Sequence, residues 1–268
     1  MDTALREAAL AVFRELEWTS DALEDRARKA EIERSTRAFA ALFRKQGRLV
    51  MERLPRLASL FVIREAVYDP DLNELFDDVF TLTRGQAQGA MQQSLTDGLN
   101  RGYKAQARKF GIERSFTLEP TRAVAWAQQN AAVHVSGVNE TTKKHIRNLI
   151  EYGLQEGESY GEVARSIKNQ FEQFAVGQPQ HHIQSRAELV AVTENAHAYE
   201  AGSAQLVDDI QAVGIQMEKM WSNTGDQLVS DGCLENSEAG WIDADDPFPS
   251  GDDTPPRFPG CRCAAIYR

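Results

Sequence analysis

The last forty-eight residues, Trp221 to Arg268, constrain the fold most, because no ordinary helix can absorb them. They hold all three cysteines, Cys233, Cys261 and Cys263, and five of the nine prolines. Between Trp221 and Pro256 there are nine acidic residues and no Lys or Arg. Proline fixes φ and removes a backbone donor, and Asp and Gly at this density mark turns rather than continuous helix. From Gly214 onward, β-branched and aromatic residues interleave with these breakers. Short strands and ordered loops are therefore expected, with Cys263 to Tyr267 as a terminal strand.

Everything upstream reads as helix. Leu5, Ala9, Val12, Phe13 and Leu16 share one face of a first helix ending near Trp18. Ser20 and Asp21 offer an N-cap for a second, striped by Ile32, Phe39, Leu42 and Phe43 and closed by Gly47. A segment bent at Pro55 follows toward Tyr68, and Asp69-Pro70-Asp71 restarts the pattern to about Phe110. Gly85, Gly89, Gly98 and Gly102 in that stretch cost about 1 kcal/mol each in helicity, which close helix approach would explain; a break near Gly98 is the rival. Beyond Gly111, helices are expected from Pro120 through Trp126, from Asn139 to Gln155 after a turn at Ser136-Gly137, from Tyr160 to Phe174 behind a Ser159/Glu162 capping box, and from Ile183 to Leu206. Gly177-Gln178-Pro179 reads as a loop. The expected fold is mainly α: an elongated helical N-terminal region (1–110), a helical core (111–214) and a small α+β, loop-rich C-terminal module (215–268).

Hydrophobic residues at 42% and charged residues at 26% are ordinary for a chain that builds its own core. No apolar run approaches the roughly 18 residues of a membrane span, so no membrane partner is expected. The N-terminus is charged and amphipathic, unlike a signal sequence, so synthesis in a reducing cytoplasm is expected. A net charge of −10 argues against a free-standing nonspecific nucleic-acid binder. Charge is nonetheless polarised: Arg26 to Arg56 carries ten basic and three acidic residues. Arg26, Arg28, Lys29, Arg34, Arg37, Arg44, Lys45 and Arg48 are candidate contacts to DNA or an acidic protein surface, and the plain alternative is the solvated face of long helices.

Cys233, Cys261 and Cys263 are candidate zinc ligands, but zinc wants a fourth, and Asp226, Asp231 or a remote His would have to supply it. The alternatives are reduced thiols packed together, or a Cys233 disulfide to one of the pair. Asp226 in a tight turn is expected to bind backbone amides rather than to catalyse. Glu194 lies on a partly apolar helix side, where Arg186 is a candidate partner. His181-His182 are expected at a loop edge, while His134, His145 and His197 read as isolated structural residues. No Ser-His-Asp order, phosphate loop or His-Glu-x-x-His motif occurs.

Four blocks then combine: R-A-E-L-V-A-V-T-E-N-A-H-A-Y-E-A-G-S (186–203), W-S-N-T-G-D (221–226), D-P-F-P-S-G (246–251) and P-P-R-F-P-G-C-R-C (255–263). In order and spacing they resemble the head morphogenesis proteins of tailed bacteriophages, the Mu F-like minor head proteins, over about residues 120–268. Many members have Cys-x2-Cys in the region where this chain has Ser230 and Cys233, and His-Pro-x-Cys-Arg-Cys where it has Phe258 to Cys263. Two potential ligands are thus replaced, so no cofactor is expected, and zinc is the exception to test. Glu194, Trp221, Asp226, Phe248, Pro259 and Arg262 are then expected as structural motif positions. The resemblance implies a virion protein without enzymatic activity that joins the head through the portal protein, with major capsid protein, scaffold and genomic DNA as further partners. A metal-assisted hydrolase or nuclease using Asp226 with the cysteines, and a free cytoplasmic DNA-binding factor, are the rival functions.

Overall fold

The computed structural model describes the backbone of residues 3–57, 69–112, 120–176 and 185–268, and side chains within 26–56, 72–112, 121–174 and 185–268. The chain is mainly α with a small antiparallel sheet near its C-terminus. Helix α1 spans Thr3–Arg53 and passes into a 3-10 turn, Leu54–Leu57. Then come α2 (Asp69–Lys109), α3 (Pro120–Gln155), α4 (Tyr160–Val176) and α5 (Arg186–Gln211). The module after them contains β1 (Glu218–Ser222), α6 (Asp231–Glu238), β2 (Ile242–Asp243) and β3 (Ala264–Tyr267). The expected apolar face Leu5 to Leu16, the segment toward Tyr68, the loop 177–179 and His181-His182 lie outside what is described.

Three expected breaks are absent. Helix α1 runs through Ser20-Asp21 and Gly47, because such residues cost under about 1 kcal/mol each inside a helix. Gly47 serves packing instead: a Cβ there would stand 2.7 Å from Phe171 Cβ on α4. Helix α3 likewise continues through Ser136-Gly137, where the Ser136 hydroxyl donates back to Ala132 O at 3.0 Å. Other boundaries fall where local chemistry puts them. Gly111 takes φ 68° just beyond α2, and Ser159 and Glu162 form the capping box at α4, with Ser159 N donating to Glu162 Oε2 at 2.7 Å. Ser185 caps α5 by accepting from Glu188 N.

The tightest helix pair is α2 with α5. A Cβ at Gly102 would fall on the Tyr199 carbonyl, and one at Gly202 on the Leu99 carbonyl. Gly98 faces Ala198 and Asn195 O in the same seam. Close approach therefore explains Gly98 and Gly102, and α2 does not break at Gly98. It does not explain Gly85 and Gly89, which have nothing within 4 Å of a Cβ position.

One apolar core draws on all five long helices, including Phe39, Leu42, Phe43, Phe76, Met91, Leu95, Ile150, Ile167, Phe171 and Leu206. Arg186 is buried among them. It donates to Thr142 Oγ1 and Val138 O, both at 3.0 Å, and lies over the rings of Phe43 and Phe174. Burial lowers its pKa to about 10. It is not the partner of Glu194, because these bonds hold it toward α3.

The C-terminal module has its own smaller core of Trp221, Cys233, Phe248 and Cys261. Trp221 and Phe248 meet edge to face, with centroids 5.0 Å apart. The sheet order is β2-β1-β3, and Trp221 on β1 pairs with Ala265 on β3. Three hydrogen bonds join this module to α5: Ala265 N donates to Glu200 Oε2 at 3.2 Å, Gly260 N to Thr193 Oγ1 at 3.1 Å, and Gln211 Nε2 to Asp245 Oδ2 at 3.4 Å.

Two measurements check this account. Gly102→Ala and Gly202→Ala should each lower urea-unfolding stability by about 2–4 kcal/mol through overpacking, whereas Gly85→Ala and Gly89→Ala should raise it by about 0.5–1 kcal/mol. Burial raises the pKa of Glu200 from 4.5 to about 8. Below pH 4.5 folded and unfolded chains both hold this proton. As pH rises toward 8 the unfolded chain ionises first, so Glu200 progressively subtracts stability. Glu200→Gln should therefore stabilise the chain by roughly 1–3 kcal/mol at pH 8, with the gain fading toward pH 4.5 in thermal denaturation.

Candidate functional site

The three cysteines, far apart in sequence, are brought together by two local devices. Ser230 starts α6 by accepting from Cys233 N at 3.4 Å, which turns Cys233 inward. Gly260 takes φ 80° and is tied to Thr193, which folds the 258–263 segment back beneath α6. The sulfurs all lie within 4.8 Å of one another, and Cys233 Sγ and Cys261 Sγ are 4.0 Å apart. All three thiols are free. The neighbouring Cys261 and Cys263 thiols bias each other, lowering the pKa of Cys261 and raising that of Cys263. A cleft of about 290 Å³ opens on the cluster, walled by Thr224, Leu228, Val229, Ser230, Phe258 and Arg262.

Neither carboxylate expected as a fourth ligand joins the cluster. Asp226 forms an ion pair with Arg262 at 2.7 Å and accepts from Leu228 N at 3.0 Å. Arg262 is thus the first cause of the lowered Asp226 pKa, and the aspartate works as a loop fastener. Asp231 is exposed in the first turn of α6. The residues at the two replaced positions have other work: Ser230 caps a helix, and Phe258 walls the cleft. Three thiolates suit a thiophilic ion, but they do not complete the closed four-ligand site of structural zinc. Among the described residues no other group of three His, Cys, Asp or Glu side chains converges in this way.

The other motif positions separate. Trp221 and Phe248 form the module core, and Pro259 lies exposed between Phe258 and Gly260. Glu194 is buried on α5 and pairs with His134 Nδ1 of α3, an interaction that raises the His134 pKa. His197 stands edge-on to His134 at 5.3 Å, and burial lowers its pKa. His134 and His197 are therefore not isolated, as the sequence suggested. They adjoin because α3 and α5 bring together residues 63 positions apart.

Several polar anchors gave no sequence signal. Arg101 on α2 donates to Glu31 on α1 at 2.7 Å and to Asn195 on α5 at 2.6 Å. Buried Lys219 donates to Asp253 O and sits over Phe248. Asn236, also buried, exchanges two hydrogen bonds with Ser250. Isolated polar residues like these gain meaning only from partners that the fold supplies.

The basic segment divides in two. Arg34 pairs with Asp97, Arg37 with Glu33 and Arg44 with Glu172. Arg26, Arg28, Lys29, Lys45 and Arg48 make no ion pair among the described residues, and all but the half-buried Lys45 are exposed. No helix of the described residues is long and apolar enough to cross a membrane.

Residues 144–266 match the family model described as phage Mu protein F like protein. No curated protein and no solved structure matches the chain. The matched segment begins within α3 and takes in α4, α5 and nearly all of the module, including the three cysteines, the Trp221–Phe248 pair and the Asp226–Arg262 bridge. Over that segment, a little under half of its length, the chain is similar to phage Mu F-like proteins.

Proposed function

We propose that this chain is a minor structural protein of a tailed-phage head, that it associates with the portal, and that it contributes to head assembly and to DNA packaging or delivery. The family match over residues 144–266 is the observation that carries this reading. The architecture is in keeping with it. At about 1.5 Å per residue, the 51 residues of α1 reach about 77 Å, long enough to link separate surfaces in a shell. The module is fastened by its own aromatic core and by the Asp226–Arg262 pair, and the bonding of Asp226 favours a scaffold over a hydrolase. The resident place of such a protein is the virion, at the portal vertex or head interior.

Heads assembled without this chain should show reduced DNA content or infectivity, and the chain should co-purify with portal rings. Heads unchanged in assembly, DNA content and infectivity would sink the proposal.

Genomic DNA is a proposed second partner, resting on the five cations of α1 that make no ion pair among the described residues. Neutralising Arg26, Arg28, Lys29, Lys45 and Arg48 to Gln should weaken duplex binding and reduce the salt slope by up to about 4. The same change at Arg34, Arg37 and Arg44, whose charges already have partners, should matter less. Filter binding across a salt series reads both.

A further inference from the structure

We propose that Cys233, Cys261 and Cys263 form a three-thiolate site for one thiophilic d10 cation of the Zn²⁺ class, with its fourth coordination position open to the cleft. Thiolates sharing one ion at about 2.3 Å stand about 3.8 Å apart in a tetrahedral arrangement and about 4.0 Å apart in a trigonal one. Cys233 Sγ and Cys261 Sγ are 4.0 Å apart, and the third sulfur lies within 4.8 Å of both. A disulfide, at about 2.05 Å, would need these sulfurs to move together by nearly 2 Å.

A second observation points to the same place. Trp221 is 1% exposed, and its buried Nε1–H has no partner at hydrogen-bonding distance. Trp221 packs in the same small core as Cys233 and Cys261, with Cys263 against it. A buried donor without an acceptor is costly, and a metal-bound thiolate is the acceptor that would use it. Three thiolates on a divalent ion leave one net negative charge. Arg262 on the cleft wall and Arg257, whose guanidinium lies against Gly232, stand beside it, paired with Asp226 and Asp252 respectively.

The open position follows from the ligand count. Asp226 is held by Arg262 and Leu228 N, and the remaining side faces the cleft between Phe258, Thr224 and Ser230. A solvent molecule or a donor group from a partner protein would complete the coordination there. The site then fixes α6 to the 258–263 segment while remaining addressable from outside, unlike a closed structural zinc.

The test uses the full chain, purified reduced and without air, titrated with Zn²⁺ against a chromophoric chelator, with Co²⁺ as a spectroscopic substitute. One equivalent of Zn²⁺ should bind, and Co²⁺ should give thiolate-to-metal charge-transfer absorption. Cys261→Ser or Cys263→Ser should weaken affinity at least 100-fold, while Asp226→Asn should leave it within 3-fold. Ser230→Cys, which places a fourth thiol on the cleft wall, should tighten it at least 10-fold. Absence of the charge-transfer bands in the unaltered chain would overturn the proposal, and this reading needs no variant to fold. Equal Zn²⁺ affinity in a triple Cys→Ser variant with unchanged circular dichroism would also overturn it. Loss of binding in Asp226→Asn would overturn the open fourth position.

Discussion

The seam between α2 and α5 is the constraint on which the rest depends. Gly98, Gly102 and Gly202 bring the two backbones so close that each glycine faces a carbonyl oxygen of the opposite helix. At this separation Arg101 reaches both Glu31 and Asn195, tying α1 to the same seam. An arginine that buried is tolerated because its donors are matched by a carboxylate and an amide oxygen, and because its guanidinium lies 4.6 Å from the Tyr199 ring centre. Were the helices held farther apart by side chains, the network would open to water and α1 would lose its internal anchor.

Helix α5 is also the bridge to the cysteine-bearing module. On its N-terminal half Glu194 faces α3, while Thr193 holds the 258–263 segment through Gly260. About two turns further on, Glu200 holds β3 through Ala265 N. A single helix therefore positions the sulfur cluster relative to the helical body. The cost is a fully buried carboxyl group with a raised pKa, accepted in exchange for satisfying an edge-strand amide that would otherwise be unpaired. The family match covers this bridge and the module but not α1 or α2, so what is shared with Mu F-like proteins is the platform that carries the cysteines.

Much of this was legible in the residues. The Ser159/Glu162 capping box formed as its spacing required, and the stripe Phe39, Leu42, Phe43 is buried. The change of texture after Gly214 marks the sheet-containing module. The misreadings share a cause. Ser20-Asp21, Gly47 and Ser136-Gly137 were read as boundaries, because local propensity is the only term visible in a sequence. Each is worth under about 1 kcal/mol per residue, and cooperative helix formation overrides such amounts when packing favours continuation. Gly47 lies at a helix crossing, a placement the chain does not disclose until Phe171 is opposite it.

By itself, the sequence determined the class of fold, the position of the irregular module, and the four blocks that carry its resemblance to Mu F-like proteins. These are properties of local composition and spacing. Only the tertiary structure decided that Glu194 pairs with His134 rather than Arg186, that Asp226 is spent on Arg262, and that three cysteines spread over 31 positions meet within 4.8 Å. Such pairings depend on which helix faces and loops come together, and that is set by backbone approach at a few glycines rather than by the residues that finally touch.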